Sequence, residues 1–418
     1  MNAVKLSYVI VTHNRRAALL ATLDHLHRTT PLPPEQWEVW VVDNASTDGT
    51  LQELFTRYPH INLIARSDNE GVGARSHAFA RAHGQYLILL DDDSYPIGSA
   101  VSDSIAYLDA HADVAAVVGK VVLPDGRDEG CALPSVMLSG AVCLRRDIIL
   151  KIGGFRPEFF RKAGEYDVSF RIWQLGLRVE RFEDIVYRHD KVMTGRSSSL
   201  AHFMDLRNNL ILIDRFFPRP LRRIYRRDWL RRYVAIARQA GEMQAVRDAV
   251  ADARRFAARE RQQGRSTLSA QTLEIILELD CQQQIVARWS QQHGLRRVVL
   301  ADYSKNLYAT FRAAQQAGLI IVAIADGGSA FAGLTYRGVP IKPLDEALAM
   351  QPDGIIISNI NPAQAPGWAN RLASAFRSPT LSLWHPQFMH TDHVIHPDQP
   401  ATRSITPAVH PPLTGAVA

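Results

Sequence analysis

Three consecutive aspartates, Asp91, Asp92 and Asp93, follow the apolar run Leu87 to Leu90 and precede Ser94, Tyr95 and Pro96. The apolar run reads as a buried strand, and the acids stand where it emerges from its sheet. Adjacent carboxylates repel one another, so the triplet costs stability unless a cation neutralises it. Clustered oxygen ligands suit hard divalent ions such as Mg²⁺ or Mn²⁺. Ser94, Tyr95 and Pro96 break the strand and leave the acids on a loop at its carboxyl end, the edge of an open α/β sheet at which ligands bind. Taken alone, the triplet is equally well explained as an acidic surface turn.

The elements that must position these acids are legible upstream. Lys5 to Thr12 reads as a strand, Arg16 to His27 as a helix, Trp37 to Val42 as a strand and Leu51 to Tyr58 as a helix. Ile61 to Ala65 is a third strand, and a helix reaching His83 leads into the acidic strand. This repetition predicts a parallel sheet with helical crossovers. Each loop at a strand's carboxyl end carries groups suited to a nucleotide. Asp43 can accept from a base N–H, Thr12 and Asn14 can bond base or ribose, and Gly71 and Gly73 permit close backbone approach. The first half contains neither G-x-x-x-x-G-K-[ST] nor G-x-G-x-x-G, which disfavours a kinase or a dinucleotide-dependent dehydrogenase.

YVIVTHNR, VVDNASTDGT, SDNEGVGAR and LILLDDDSYP occur in an order and spacing that resembles the inverting family 2 glycosyltransferases, whose fold is called GT-A. The resemblance continues through Ser139-Gly140-Ala141, Gly153-Gly154-Phe155 and AGEYDVSFRIWQLG, ends near YRHDKVMTGRSSSLAHFMDLRNN, and covers roughly the first half of the chain. It implies a metal-dependent enzyme of hexosyltransferase type. Such an enzyme moves a sugar, with inversion, from a nucleotide-diphosphate-sugar to a hydroxyl acceptor. In the family the aspartate cluster holds a divalent metal, Mn²⁺ or Mg²⁺, that bridges the donor diphosphate. Carried over, Asp91 and Asp93 are the ends of the D-x-D motif, and His189 matches a histidine that completes the metal site in several relatives. The implied donor-binding residues are Thr12, Asn14, Arg15, Asp43, Asn44, Asn69, Gly71, Arg75, Asp91 and Asp92. UDP- or dTDP-sugars are the favoured donors, and the acceptor is a glycan or a lipid-linked molecule of bacterial surface polysaccharide synthesis.

The base that deprotonates the acceptor falls in GEYDVSFR. The family writes this motif Glu-Asp-x-Asp, and this chain places Gly164 and Glu165 opposite the Glu-Asp pair, so Glu165 takes the position of the usual aspartate. Asp167 is the alternative base. It also reads as a helix N-terminal charge, since Val168, Ile172 and Leu175 form an apolar stripe. This departure keeps a second class of function open, a non-catalytic sugar-nucleotide-binding or scaffold protein on a degenerate GT-A fold. Arg196 and Arg207 are candidates to approach the diphosphate.

From Phe216 the character changes. The run PRPLRRIYRRDWLRRYV interleaves arginines with apolar and aromatic residues. A helix here suits either peripheral contact with an anionic membrane through residues 219–233 or packing on the catalytic domain with a solvated arginine face. No nucleic-acid module accompanies the arginines, so no nucleic-acid partner is expected. The net charge of +6 is concentrated in this segment. Helical material follows to Gln292, and a second strand-helix series begins at Arg297, with Asp326 ending a strand and Gly338-Val339-Pro340 following. That series resembles the small Rossmann-like domains of sugar-nucleotide and polysaccharide biosynthesis proteins, although the turn at Asp302 to Ser304 lacks the glycines of a dinucleotide site. It is read as a docking, homo-oligomerisation or ligand-sensing module, with a nucleotide bound at Asp302 to Ser304 as the sharper alternative and a structural domain without a ligand as the plainer one.

The expected fold class is therefore α/β. A GT-A domain spans 1–218, a basic helical connector 219–294, a smaller Rossmann-like domain 295–386 and an irregular His- and Pro-containing tail 387–418. Three widely spaced cysteines, the absence of a signal-like start and the lack of a long apolar run point to a cytoplasmic protein, with membrane contact at the inner face only.

Overall fold

The computed structural model describes residues 4–191, 198–264 and 266–385; Arg196, His390, His393, His396 and the 387–418 tail lie outside them. The β-branched run LSYVIVT forms β1 (Leu6–Thr12), and the Ala/Leu repeat after it forms α1 (Arg16–Thr29), which buries Leu19, Leu23 and Leu26 at helical spacing. β2 (Trp37–Asp43), α2 (Thr50–Arg57) and β3 (Asn62–Ala65) follow. The helix expected to reach His83 is shorter. A 3-10 turn over Gly71–Arg75 passes into α3 (Ser76–Phe79), because the chain must then turn at Gly84, where a Cβ would lie 2.5 Å from the Ser7 nitrogen.

β4 (Tyr86–Asp91) is followed after two residues by β5 (Ser94–Ile97). Then come α4 (Ala100–Ala110), β6 (Val114–Val122), β7 (Asp128–Glu129), β8 (Val142–Arg145), α5 (Arg146–Lys151), α6 (Gly164–Gln174) and β9 (Arg178–His189). The sheet runs β3-β2-β1-β4-β8-β6-β9-β5, with β7 beside β6. The first four strands are parallel, as expected, but β8 lies antiparallel to both β4 and β6, and β5 antiparallel to β9. A parallel partner needs a long crossover, and the two-residue link after β4 cannot supply one. The sheet is therefore mixed and buried on both faces. Leu6, Tyr8 and Ile10 enter one core, while Val9 meets Leu87 and Leu89 in the other.

Five helices follow: α7 (Ser198–Phe216), α8 (Arg219–Gln239), α9 (Met243–Gln263), α10 (Ala270–Ile276) and α11 (Leu279–His293). They lead to β10 (Arg297–Ala301), α12 (Leu307–Gln316), β11 (Ile320–Ala325), β12 (Thr335–Tyr336), β13 (Val339–Lys342), α13 (Leu344–Leu348), β14 (Gly354–Ile357), α14 (Ala365–Ala375) and β15 (Thr380–Ser382). The second sheet has the order β12-β13-β11-β10-β14-β15. All its pairs are parallel except β12 with β13.

The helices are more than a spacer. One continuous core holds Phe170 of α6, Leu210 of α7, Trp229 of α8, Ala253 of α9 and Leu300 of β10. The membrane reading of α8 is corrected here, because its apolar side is covered by the chain itself. Tyr225, Trp229 and Tyr233 are buried, Trp229 Nε1 donates to the Lys305 carbonyl at 2.7 Å, and Asp228 accepts from the Tyr336 hydroxyl at 2.6 Å. No helix among the described residues is long and apolar enough to cross a membrane.

Candidate active site at the carboxyl end of the central strand

The site starts from the short β4–β5 link. Asp91 ends β4, Asp92 and Asp93 form the turn, and β5 then pairs with β9 so that Ser94 stands opposite His189. This register carries His189, almost a hundred positions away in sequence, back onto the acidic turn. Asp91, Asp93 and His189 each offer a ligand atom, all within 4.8 Å of one another. His189 Nε2 lies 3.0 Å from Asp93 Oδ1, and its Nδ1 lies 2.7 Å from Glu129 Oε2.

Burial opposes charge on His189, but its hydrogen bonds to Asp93 and Glu129 outweigh that and push its pKa up to about 10. Burial likewise disfavours the charge of Asp93, yet His189 and Arg15 hold its carboxyl below the usual range. Glu129 shares its carboxylate between His189 and Lys191. A carboxylate on the far nitrogen of a metal-ligating histidine fixes the ring and its tautomer. Glu129 lies on a two-residue strand and belongs to no recognisable motif, so sequence reasoning missed it.

Two carboxylates and one imidazole nitrogen are a donor set that can hold a divalent cation such as Mn²⁺ or Mg²⁺. The turn already gathers cations. Fully buried Arg75 ion-pairs with Asp91 and donates to the Leu90 carbonyl at 3.0 Å, while Arg15 pairs with Asp93 and, at 2.9 Å, with Asp92. Thr12 Oγ1 donates to Asp92 Oδ2 at 2.8 Å. Burial pushes the Asp92 carboxyl up to about 7 against the pull of Arg15 and Thr12. Arg15, Arg75 and Thr12 thus hold the acids themselves.

The nucleotide-type loops are stitched together by the residues singled out in sequence. Asn14 Oδ1 accepts from the Thr47 amide at 2.7 Å. Asn44 accepts from the Glu70 amide and donates to the Gly71 carbonyl, both at 2.9 Å, and Asn69 Oδ1 accepts from the Gly71 amide at 2.9 Å. Gly71 is corrected. Its φ is +64°, and a Cβ there would stand 2.0 Å from the Phe160 carbonyl oxygen, so the glycine admits another piece of backbone. Gly73 has only an ordinary contact with Pro157. Asp43 is fully buried; its Oδ2 accepts from the Ser46 amide at 3.0 Å, and its Oδ1 has no hydrogen-bond partner among the described residues. A buried acceptor without a donor costs free energy.

The structure separates the two candidate bases. Ser139 Oγ donates to Glu165 Oε1 at 2.9 Å, and on the adjacent Gly140 a Cβ would stand 3.1 Å from Asp91 Oδ2. The 139–140 turn therefore touches Glu165 with one residue and the acidic turn with the next. Glu165 is half-buried on the first turn of α6, after Lys162 and Ala163 in left-handed conformation. Asp167 is corrected. It is wholly buried and neutralised by Arg171 at 2.6 Å and Arg215 at 2.7 Å, so it ties α6 to α7. Arg207 pairs with Asp252 at 2.6 Å and braces α7 against α9, away from any diphosphate role.

Residues 7–157 match the family model described as glycosyl transferase family 2. Over 216 residues the chain is 30% identical to the poly(ribitol-phosphate) β-N-acetylglucosaminyltransferase TarS of Staphylococcus aureus, covering 48% of this chain and 38% of that protein. It is 24% identical over 173 residues to the putative glycosyltransferase EpsE of Bacillus subtilis, covering 37% of this chain and 62% of EpsE. The chain thus spans less than two thirds of the length of either relative. Among solved structures, S. aureus TarS 1–349 superposes with a TM-score of 0.47 at 18% identity, covering 80% of this chain and 98% of that one. GalNAc-T7 with UDP, GalNAc and Mn²⁺ gives 0.45 at 19% identity, covering 54% and 50%.

Proposed function

We propose, from the match of residues 7–157 to the family 2 glycosyltransferase model, that the protein transfers a sugar, with inversion, from a nucleotide-diphosphate-sugar to an acceptor hydroxyl. The convergence of Asp91, Asp93 and His189 at the end of the central strand, with Glu165 linked to the same turn through Ser139 and Gly140, carries this reading. These three residues would hold a Mn²⁺ or Mg²⁺ ion, which when bound supplies positive charge to the departing diphosphate. Glu129 keeps the His189 ring oriented. Asp43 Oδ1 accepts an N–H of the base, as its lack of a partner suggests.

Glu165 takes the proton of the acceptor hydroxyl as the oxygen forms its bond to the anomeric carbon, and the bond to the donor phosphate oxygen breaks on the opposite face. The Ser139 hydroxyl holds that carboxylate in place. We assign the donor to the UDP- or dTDP-sugars and the acceptor to a glycan or lipid-linked surface polymer, in keeping with the poly(ribitol-phosphate) named for TarS. The test is donor hydrolysis and transfer with and without Mn²⁺. Metal-stimulated turnover that disappears in Glu165→Gln, with nucleotide affinity retained, supports the reading. Complete inactivity of the wild type across a panel of donors and acceptors would favour the scaffold alternative.

A further inference from the structure

The second sheet has its own crevice. Strand order β13-β11-β10-β14-β15 means that the chain leaves β10 toward one side for β11 and later returns on the other side for β14. In doubly wound sheets ligands bind outside the carboxyl ends of the strands at this reversal. A cavity of about 260 Å³ opens there, lined by Arg232, Asp302, Asp326, Phe331, Trp368 and Arg371.

Its lining has the marks of a built site. Asp302 adopts φ +81°, a conformation that costs a non-glycine residue about 1–3 kcal/mol and clusters at functional positions. Its carboxyl is nine-tenths buried; Oδ2 accepts from Asn359 at 2.7 Å and from Trp368 Nε1 at 2.9 Å, whereas Oδ1 accepts from no group among the described residues. Arg371 stacks 3.9 Å over the Trp368 ring, and Arg232 lies 5.7 Å from the Phe331 centroid while donating to the Tyr303 carbonyl. Neither guanidinium forms an ion pair among the described residues. Asp326, at the end of β11, accepts from the Tyr303 and Gly328 amides and keeps lone pairs to spare.

Carboxylates set to accept from hydroxyls, beside guanidiniums that lack an anion, define a ligand carrying both groups. A dinucleotide does not fit. The Asp302 side chain stands where a glycine would let the pyrophosphate approach. We propose that this crevice is a second ligand site, separate from the transferase centre, for a small hydroxylated phosphate ester. The ester is either a sugar phosphate or a nucleoside monophosphate. The proposal stands independently of the transferase reading.

Calorimetric titration of the full chain in EDTA, which removes metal from the transferase centre, tests it with glucose 1-phosphate, UMP and inorganic phosphate. One ester is expected to bind saturably with Kd below about 1 mM, and the tighter of the two identifies the source. Arg371→Ala, an exposed position, should weaken that binding by about tenfold, the value of a single charge-assisted hydrogen bond. Asp302→Gly, which suits φ +81°, should do the same, with its melting curve confirming the fold. Absence of saturable heat from both esters, or unchanged binding in both variants, would overturn the site. Inorganic phosphate binding as tightly as the esters would overturn the hydroxyl contacts.

Discussion

Glu165 and Asp167 are two positions apart on one helix, and their surroundings give them opposite work. Glu165 is half-buried with the Ser139 hydroxyl as its partner, so Glu165→Gln should keep the fold and lower turnover about 10²–10⁴-fold, the usual contribution of a general base. Asp167 is closed in by Arg171 and Arg215. Removing its carboxylate strands buried Arg171 and takes one of three carboxylate partners from Arg215, so Asp167→Ala should cost about 3–5 kcal/mol in a denaturant melt. Stability loss in the first variant with none in the second would reverse these roles. Glu129 belongs at this scale too. Glu129→Ala should weaken Mn²⁺ binding by about 10–100-fold in a titration of the protein alone, as loss of an outer partner does at other histidine sites.

At the scale of elements, the two-residue link after β4 decides where the histidine comes from. It forces β5 out of the parallel set and onto β9, and the register Ser94 to His189 completes the ligand group. Glycines mark where elements press together. At Gly71 a Cβ would overlap the Phe160 carbonyl at a positive φ, so Gly71→Ala should destabilise by more than about 1 kcal/mol and lower the melting temperature. The strand and helix order up to β4 was legible because periodicity and turn residues are local signals, whereas β5, whose residues Ser94 to Pro96 read as a strand break, was not. The truncation of α3 at Phe79 was not, since it follows from the approach of Gly84 to Ser7 across the sheet. α14 and β15 were likewise not assigned from sequence. α14 opens on Ala365-Pro366-Gly367, residues that read as a turn as readily as a helix start.

Across the whole molecule, helices α7 to α11 and the second sheet share one core with α6. A chain ending at residue 294 would expose Tyr225, Trp229 and Tyr233 and leave Asp228 without Tyr336 and Arg337; it should aggregate or be cleaved in limited proteolysis where the full chain resists. The loops that follow β7 and β14 also meet directly. Asn361 donates to the Gly130 carbonyl at 3.4 Å, next to Glu129, and its own amide is held by Asn359, which donates to Asp302. The cavity of the second sheet and the histidine of the first are thus joined through a short series of hydrogen bonds. The sequence by itself determined the acidic triplet at a strand's end, the nucleotide-type loops and the α/β character of both halves, because each depends on neighbours within a few residues. Only the tertiary structure decided that Glu165 remains accessible while Asp167 is neutralised, that Glu129 orients His189, and that α8 spends its aromatic face on the second sheet. Those outcomes depend on which distant side chain supplies the opposite charge or covers the apolar surface, and no local pattern in the chain carries that information.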